Sequence, residues 1–282
     1  MRIIEDLAEM TETARGWLAG GMVGFVPVAS ELHNGHLVLI QAACESCEIS
    51  VVSMIDKALL FRTSHKDGLV MQPRNLSRDL LLLDNTDVDV VFMPRPEEMY
   101  PAGFSMHVTP MGYMARQLRK AADGRYGQKF MTTMVKLFQL VRPDIVFFGQ
   151  KDAVQVAIMH QLVRDLNIDV KLQVLPTVRE NDGLAISSRN RMLSEEERRA
   201  APLIYQALLQ GKVMVEKGER QAKVITSAIA DMLSISSLID LDSIAICHPD
   251  SLVEVPEVER GTLITIGARV GRIYLTDNIL LS

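Results

Sequence analysis

Short unbroken apolar runs recur through the first 175 residues, at 22–27, 49–55, 88–93, 145–148 and 170–175, and each reads as a buried strand. Between them, segments 37–47, 76–83, 130–140 and 153–166 place apolar residues three and four positions apart, the spacing of a helix with one buried stripe. Strands that alternate with helices predict a parallel sheet covered on both faces, with ligands at the carboxyl ends of its strands.

The pattern changes after residue 178. Residues 179–191 are polar and hold the turn pair Asp182-Gly183, and Ser194 followed by three glutamates marks a helix start. Residues 195–233 read as helical, and short β-like runs follow at 243–247, 262–268 and 272–275. The expected architecture is α/β, with a parallel-sheet domain over 1–178 and a smaller α+β domain over 179–282. The chain shows no internal repeat, no Gly-Lys-Ser/Thr phosphate loop and no Gly-x-Ser-x-Gly elbow.

Composition narrows the class. The 282 residues, 48% hydrophobic and 23% charged, suffice for one large and one smaller domain. A net charge of -5 and a pI near 5.7 lack the basic excess of a nucleic-acid binder, so small molecules rather than nucleic acid are the expected partners. Cys44, Cys47 and Cys247 are too few for a secreted disulfide framework and fit a reducing cytoplasm. Cys44 and Cys47 fall near the end of the helix that His36 begins and read as ordinary helix cysteines rather than a redox or metal pair. The charged first residues lead into no apolar core, and no run reaches the roughly 18 apolar residues of a membrane span, so neither a signal peptide nor membrane association is expected.

The most informative segment is 24–36, which passes from an apolar strand into His33-Asn34-Gly35-His36 at the start of a helix. Two imidazoles at a helix N-terminus join free N–H groups and the positive end of the macrodipole, an arrangement that favours phosphate. Gly35 lets the backbone come close to a ligand, and the histidines can donate to phosphoryl oxygens as charge develops during attack on ATP. Paired histidines also bind zinc, but no cysteine or carboxylate cluster nearby completes a metal shell.

Two further motifs follow. Phe148-Gly149-Gln150-Lys151-Asp152 lies at a strand's carboxyl end: Lys151 offers a positive charge to phosphate, Asp152 suits ribose hydroxyls, and Gly149 permits close approach. Ser187-Ser188-Arg189-Asn190-Arg191 sets two hydroxyls beside a guanidinium, donors able to compensate charge on departing pyrophosphate. Each motif alone is also what a solvated loop can look like.

With Glu97-Glu98-Met99-Tyr100-Pro101, Lys136-Leu137-Phe138, Pro176-Thr177-Val178-Arg179-Glu180 and Asp277-Asn278 added, the chain resembles the pantothenate synthetase (pantoate–β-alanine ligase) family over nearly its whole length. The resemblance implies a Rossmann-like N-terminal domain, a C-terminal lid domain, a homodimer, and a two-step reaction on a carboxylic acid, an amine and Mg-ATP. By matching position it implies that His33 and His36 stabilise adenylyl transfer and that Lys151, Ser187, Ser188 and Arg189 hold phosphates. It likewise puts Gly149 and Asp152 on the ribose, Val178 beside adenine and Asp79 in contact with Mg2+.

The departures from that family gather on the acid side. After Val51-Val52-Ser53 the family usually reads Ile-Phe-Val-Asn-Pro-x-Gln-Phe, whereas this chain reads Met54-Ile55-Asp56-Lys57-Ala58-Leu59-Leu60-Phe61, so Leu60 stands for the acid-binding glutamine. Val28-Ala29-Ser30 replaces Thr-Met-Gly, and segment 123–129 replaces Arg-Pro-Gly-His-Phe-Arg-Gly; Gln155 alone remains of the acid-contacting glutamines. Losing a polar partner changes discrimination among acids. A changed acid or amine is therefore expected, with Lys57 and Arg125 as candidate carboxylate anchors. A nucleotide-binding protein without turnover is the alternative, and pyrophosphate release separates the two.

Overall fold

The five apolar runs form strands, and a sixth, three-residue strand joins them at the sheet's edge. The computed structural model describes residues 1–17, 20–55, 74–112, 114–116 and 127–281. Contacts divide the chain into two units: Met1–Gly149 with Leu162–Leu175, and Gln150–Gln161 with Pro176–Ser282.

In the first unit β1 (Arg2–Ile4), β2 (Val23–Val28), β3 (Ile49–Met54), β4 (Val90–Phe92), β5 (Ile145–Gly149) and β6 (Lys171–Leu175) make one sheet in the order β1-β4-β3-β2-β5-β6. Every pairing is parallel. The longer helices among the described residues are α1 (Leu7–Gly16), α2 (Asn34–Ser46), α3 (Leu76–Asp84), α4 (Gln128–Val141) and α5 (Ala153–Asp165), the last shared between the units. Val26, Val52 and Val91 stand in register and share a core with Leu39, Ile40 and Ala43 of α2 and Leu83 of α3. Their neighbours Phe25, Val51, Val90 and Phe92 point to the other face and are equally buried, so that face is covered as well. On α4 the stripe Phe130, Met134, Leu137, Phe138 and Val141 is buried at helical spacing. The helix stops at Arg142, left-handed at φ 52°, because Pro143 follows it.

The strand order reverses between β2 and β5: the chain runs outward through β3 and β4, then returns to the other side of β2. In open α/β sheets that reversal leaves a crevice beyond the carboxyl ends of the two strands, where ligands bind. His33 follows one of these ends and Gly149 closes the other.

The second unit holds α6 (Glu195–Ala200), α7 (Leu203–Glu216), α8 (Ala222–Leu233) and an antiparallel sheet of β7 (Ile239–Cys247), β8 (Leu263–Val270) and β9 (Ile273–Leu280). Ser194 caps α6 in a reciprocal capping box with Glu197. The expected continuous helical stretch is broken at Pro202, which lacks an N–H, and in the turn after Glu216. Ile204, Leu208, Ile225 and Ile229 pack with Ile264 and Ile266 in one core. Segment Gln150–Gln161 also belongs here, although the sequence reading divides the chain only at 178/179. Its physical reason is a small apolar cluster in which Ala153 and Ala157 pack with Cys247, Leu252 and Leu263.

Candidate active site

In the first unit the candidate residues converge where β2 turns into α2. His33 is the N-cap residue, extended at φ -144° and ψ 171°, and its side chain makes no capping bond. Its ring instead stacks on His36, with centroids 3.8 Å apart and planes 22° from parallel. The backbone N–H groups of His36 and Leu37 both donate to His33 O, at 2.8 and 3.1 Å. Those of Asn34 and Gly35 precede the first intrahelical acceptor, and the first turn carries no acidic side chain to offset the positive helix end. Gly35 is closely packed: a Cβ there would lie 3.0 Å from both Cε1 and Nδ1 of His33.

The turn that delivers His33 is held by residues around the start of α3. Asp79 is wholly buried. Its Oδ1 accepts from Leu32 N at 3.1 Å and from Arg78 Nη1 at 3.4 Å, and its Oδ2 pairs with Arg74 Nε at 3.2 Å. Arg74 also donates to Ser30 O, Arg78 donates to Leu32 O at 3.2 Å, and Asn75 N donates to Glu31 Oε1 at 3.2 Å. Engaged by two guanidinium groups and a backbone amide, the buried Asp79 carboxylate acts as a clamp on the 28–32 turn. Among the described residues no group of three or more His, Cys, Asp or Glu side chains could hold a metal ion.

Cys44 and Cys47 are free thiols, and burial pushes both above the ordinary thiol value. Cys47 has a packing role, since a Cβ on Gly24 would lie 2.8 Å from its Sγ. Neither property suits a redox pair, in keeping with the reading of two helix cysteines.

In the second unit Lys151, Ser187 and Arg189 line one cavity together with Asn190 and Asp277. Lys151 belongs to the turn of 3₁₀ helix at Gln150–Asp152; its side chain is 17% exposed and its ammonium lies 4.0 Å from Asp152 Oδ1. Ser187 caps a second such turn, Ser188–Met192, by accepting from Arg189 N at 3.3 Å, which leaves its O–H able to donate. Arg189 is steadied by a 3.2 Å bond from Nη1 to Tyr274 O. Asn190, which the sequence reading gave no role, donates to Ala185 O at 3.0 Å. Two cations and a hydroxyl on one concave wall are a fitting receptor for an oxyanion.

Ser188, Asp152, Val178 and Gln155 are not among the residues lining that cavity. Ser188 is half-buried, Asp152 is exposed, and Val178 O accepts from Ile186 N at 3.0 Å in the hairpin turned by Asp182-Gly183. That turn needs glycine, since Gly183 has φ 92° and a Cβ would lie 2.5 Å from Tyr205 Cδ1. Arg198 hydrogen-bonds Asp182 and holds its carboxyl below the usual carboxylate range. Gln155 is half-buried in the first turn of α5. At Gly149 a Cβ would meet nothing within 4 Å, so the described residues do not themselves require a glycine there. Leu60, Lys57 and Arg125 lie outside the described residues.

A family model described as pantoate-beta-alanine ligase matches residues 2–280. The chain is 39% identical over 282 residues to the pantothenate synthetase of Thermosipho africanus (strain TCF52B), covering 100% of both chains. Its fold is similar to the crystal structure of pantothenate synthetase from Thermus thermophilus, with a TM-score of 0.90, 35% identity and 99% of each chain covered. It is also similar to the pantoate-beta-alanine ligase of Francisella tularensis complexed with beta-gamma ATP and beta-alanine, with a TM-score of 0.78, 26% identity, and 99% of this chain and 97% of that one covered. No helix among the described residues is long and apolar enough to cross a membrane. The stacked His33–His36 pair at a helix N-terminus, the oxyanion-receptive wall of the second unit and the full-length matches agree: the chain is an amide-forming ligase and belongs to the pantoate-beta-alanine ligase family.

Proposed function

We propose that the chain joins pantoate to β-alanine at the expense of ATP through an acyl adenylate. The acid's carboxylate attacks the α-phosphorus, the bond to pyrophosphate breaks, and a mixed anhydride with AMP forms. The amine then attacks the acyl carbon and AMP leaves with the electron pair. His33 and His36 donate to the α-phosphoryl oxygens, where negative charge accumulates in the first step. Lys151, Ser187, Ser188 and Arg189 hold the phosphates that become pyrophosphate, Gly149 and Asp152 face the ribose, Val178 lies beside the adenine, and Gln155 contacts the acid. Magnesium enters as part of the Mg-ATP substrate. The enzyme works in the cytoplasm as a homodimer.

The observation that carries this reading is the stacked histidine pair at the acid-free N-terminus of α2, in a chain that matches the ligase family from end to end. Its test is acid-dependent pyrophosphate release followed by mass measurement of the product formed with β-alanine. His36→Ala and Lys151→Ala should each slow release by about 10² to 10³, the usual loss for one preorganised donor. An unchanged rate in a folded variant would remove that residue from the chemistry.

A changed acid is the second reading, favoured by Leu60 in place of the family's glutamine. An absent hydrogen bond weakens use of pantoate by about 0.5–1.5 kcal/mol, and Leu60→Gln should restore it. Turnover of pantoate at a kcat/KM of about 10⁴ M⁻¹s⁻¹ or more would exclude this reading in favour of the first.

A further inference from the structure

The turn that presents Lys151 is gripped by a residue 127 positions away in sequence. Asn278, on β9, is 3% exposed. Its Nδ2 donates to Gln150 O and to Lys151 O, both at 2.9 Å, and its Oδ1 accepts from Gln150 Nε2 at 3.1 Å. A primary amide offers two donor hydrogens and one acceptor oxygen, and here all of them serve one turn. No other side chain of this size does the same: an aspartate would lose both donors and face two carbonyl oxygens, and a leucine would leave them unmet.

Asn278 is itself fixed from behind. Its N–H donates to Asp277 Oδ1 at 2.8 Å, and Asp277, 4% exposed, receives a two-pronged grip from Arg179 at 2.6 and 3.0 Å. The Arg179 guanidinium lies over the Tyr205 ring, 3.6 Å from its centroid. Tyr205, Arg179, Asp277, Asn278 and the Gln150–Lys151 turn therefore form one chain of contacts inside the second unit. Its last member carries the ammonium that lines the cavity with Arg189.

We propose that Asn278 is a positioning residue for Lys151, setting the backbone of its turn so that the ammonium is aimed into the oxyanion-receptive cavity. The physical need is plain. A lysine ammonium is a point charge on a flexible four-carbon stem, and a single turn of 3₁₀ helix has weak hydrogen bonds of its own. Clamping both carbonyls from outside fixes the stem's origin, and with it the reach and direction of the charge. The inference rests on the proposed phosphate role of Lys151.

The test is a double-mutant cycle on the full-length protein, read by single-turnover pyrophosphate release with Mg-ATP and the acid that turns over fastest. Asn278→Ala and Asn278→Asp should slow release by about 10- to 100-fold, the range for a reacting group displaced by about 1 Å, while the KM for the acid stays within about twofold. Asn278→Ser, which keeps one donor, should fall between these and the parent, and it serves if the other two fail to fold. In the Lys151→Ala background the same Asn278 changes should add less than about twofold, because there is no ammonium left to aim. Equal losses in both backgrounds, or no loss in a folded Asn278 variant while Lys151→Ala is slow, would overturn the proposal alone. A Lys151→Ala enzyme as fast as the parent would overturn the role of Lys151 and the proposal with it.

Discussion

Gly35→Ala should slow adenylation without destabilising the protein. The added Cβ would lie 3.0 Å from Cε1 and Nδ1 of His33, tighter than ordinary contact, so the ring must give by a few tenths of an ångström. That is enough to disturb a stack whose centroids are 3.8 Å apart. A misplacement of about 1 Å costs about 10² in rate, so this smaller one should slow single-turnover pyrophosphate release by up to about 10-fold. Position 35 is helical, and alanine there in place of glycine is worth up to about 1 kcal/mol in favour of folding. Activity and stability should thus move in opposite directions, or stability should hold still while activity drops. In a His33→Ala background the clash has no ring to strike, and Gly35→Ala should then have little further effect on rate. A rate equal to the parent's, or an equal loss in the His33→Ala background, would show that the ring's position is not what Gly35 protects.

Three further outcomes follow from other parts of the molecule. Asp79→Ala should destabilise by about 3–5 kcal/mol in urea denaturation, since it strands Arg74 and the Leu32 amide around a wholly buried site; a change under about 1 kcal/mol would deny the clamp. The reaction of Cys44 and Cys47 with a thiol reagent should still be accelerating with pH above about 8.5, because burial raises both thiols; a plateau near pH ~7 would mark an activated pair instead. The Arg198 bond depresses the Asp182 carboxyl, so its stabilisation is present above the unfolded value of about 3.9 and is lost as pH falls through the lower folded value. The melting difference between the parent and Asp182→Asn, worth under about 1 kcal/mol at this partly exposed pair, should therefore shrink toward zero at acid pH; a difference that persists there would assign it to something other than this ion pair.

Periodicity carried the sheet because parallel strands buried on both faces leave unbroken apolar runs, and 22–27 and 49–55 became β2 and β3 almost residue for residue. β1 escaped notice for the converse reason: with three residues and an exposed Ile3 it has too little apolar character to stand out from a charged terminus. Motif spacing likewise singled out His33, Lys151 and Arg189 as candidates, since they bear groups whose chemistry is visible in their names. What it could not weigh was how a polar side chain is used once folded. Asp79 looks the same in sequence whether it lies on a helix surface or wholly inside, and its burial and two arginine partners come only with the fold. Asn278 was noticed only as part of a C-terminal pair, because its partners lie 127 and 128 positions away and no local pattern connects them. Candidate groups for substrate can be read from short motifs, whereas the contacts that hold their turns are specified by long-range register. The division of the chain follows the same rule: Gln150–Gln161 falls inside the alternating pattern of the first unit, yet the partners of its side chains and carbonyls on Cys247, Leu263 and Asn278 assign it to the second.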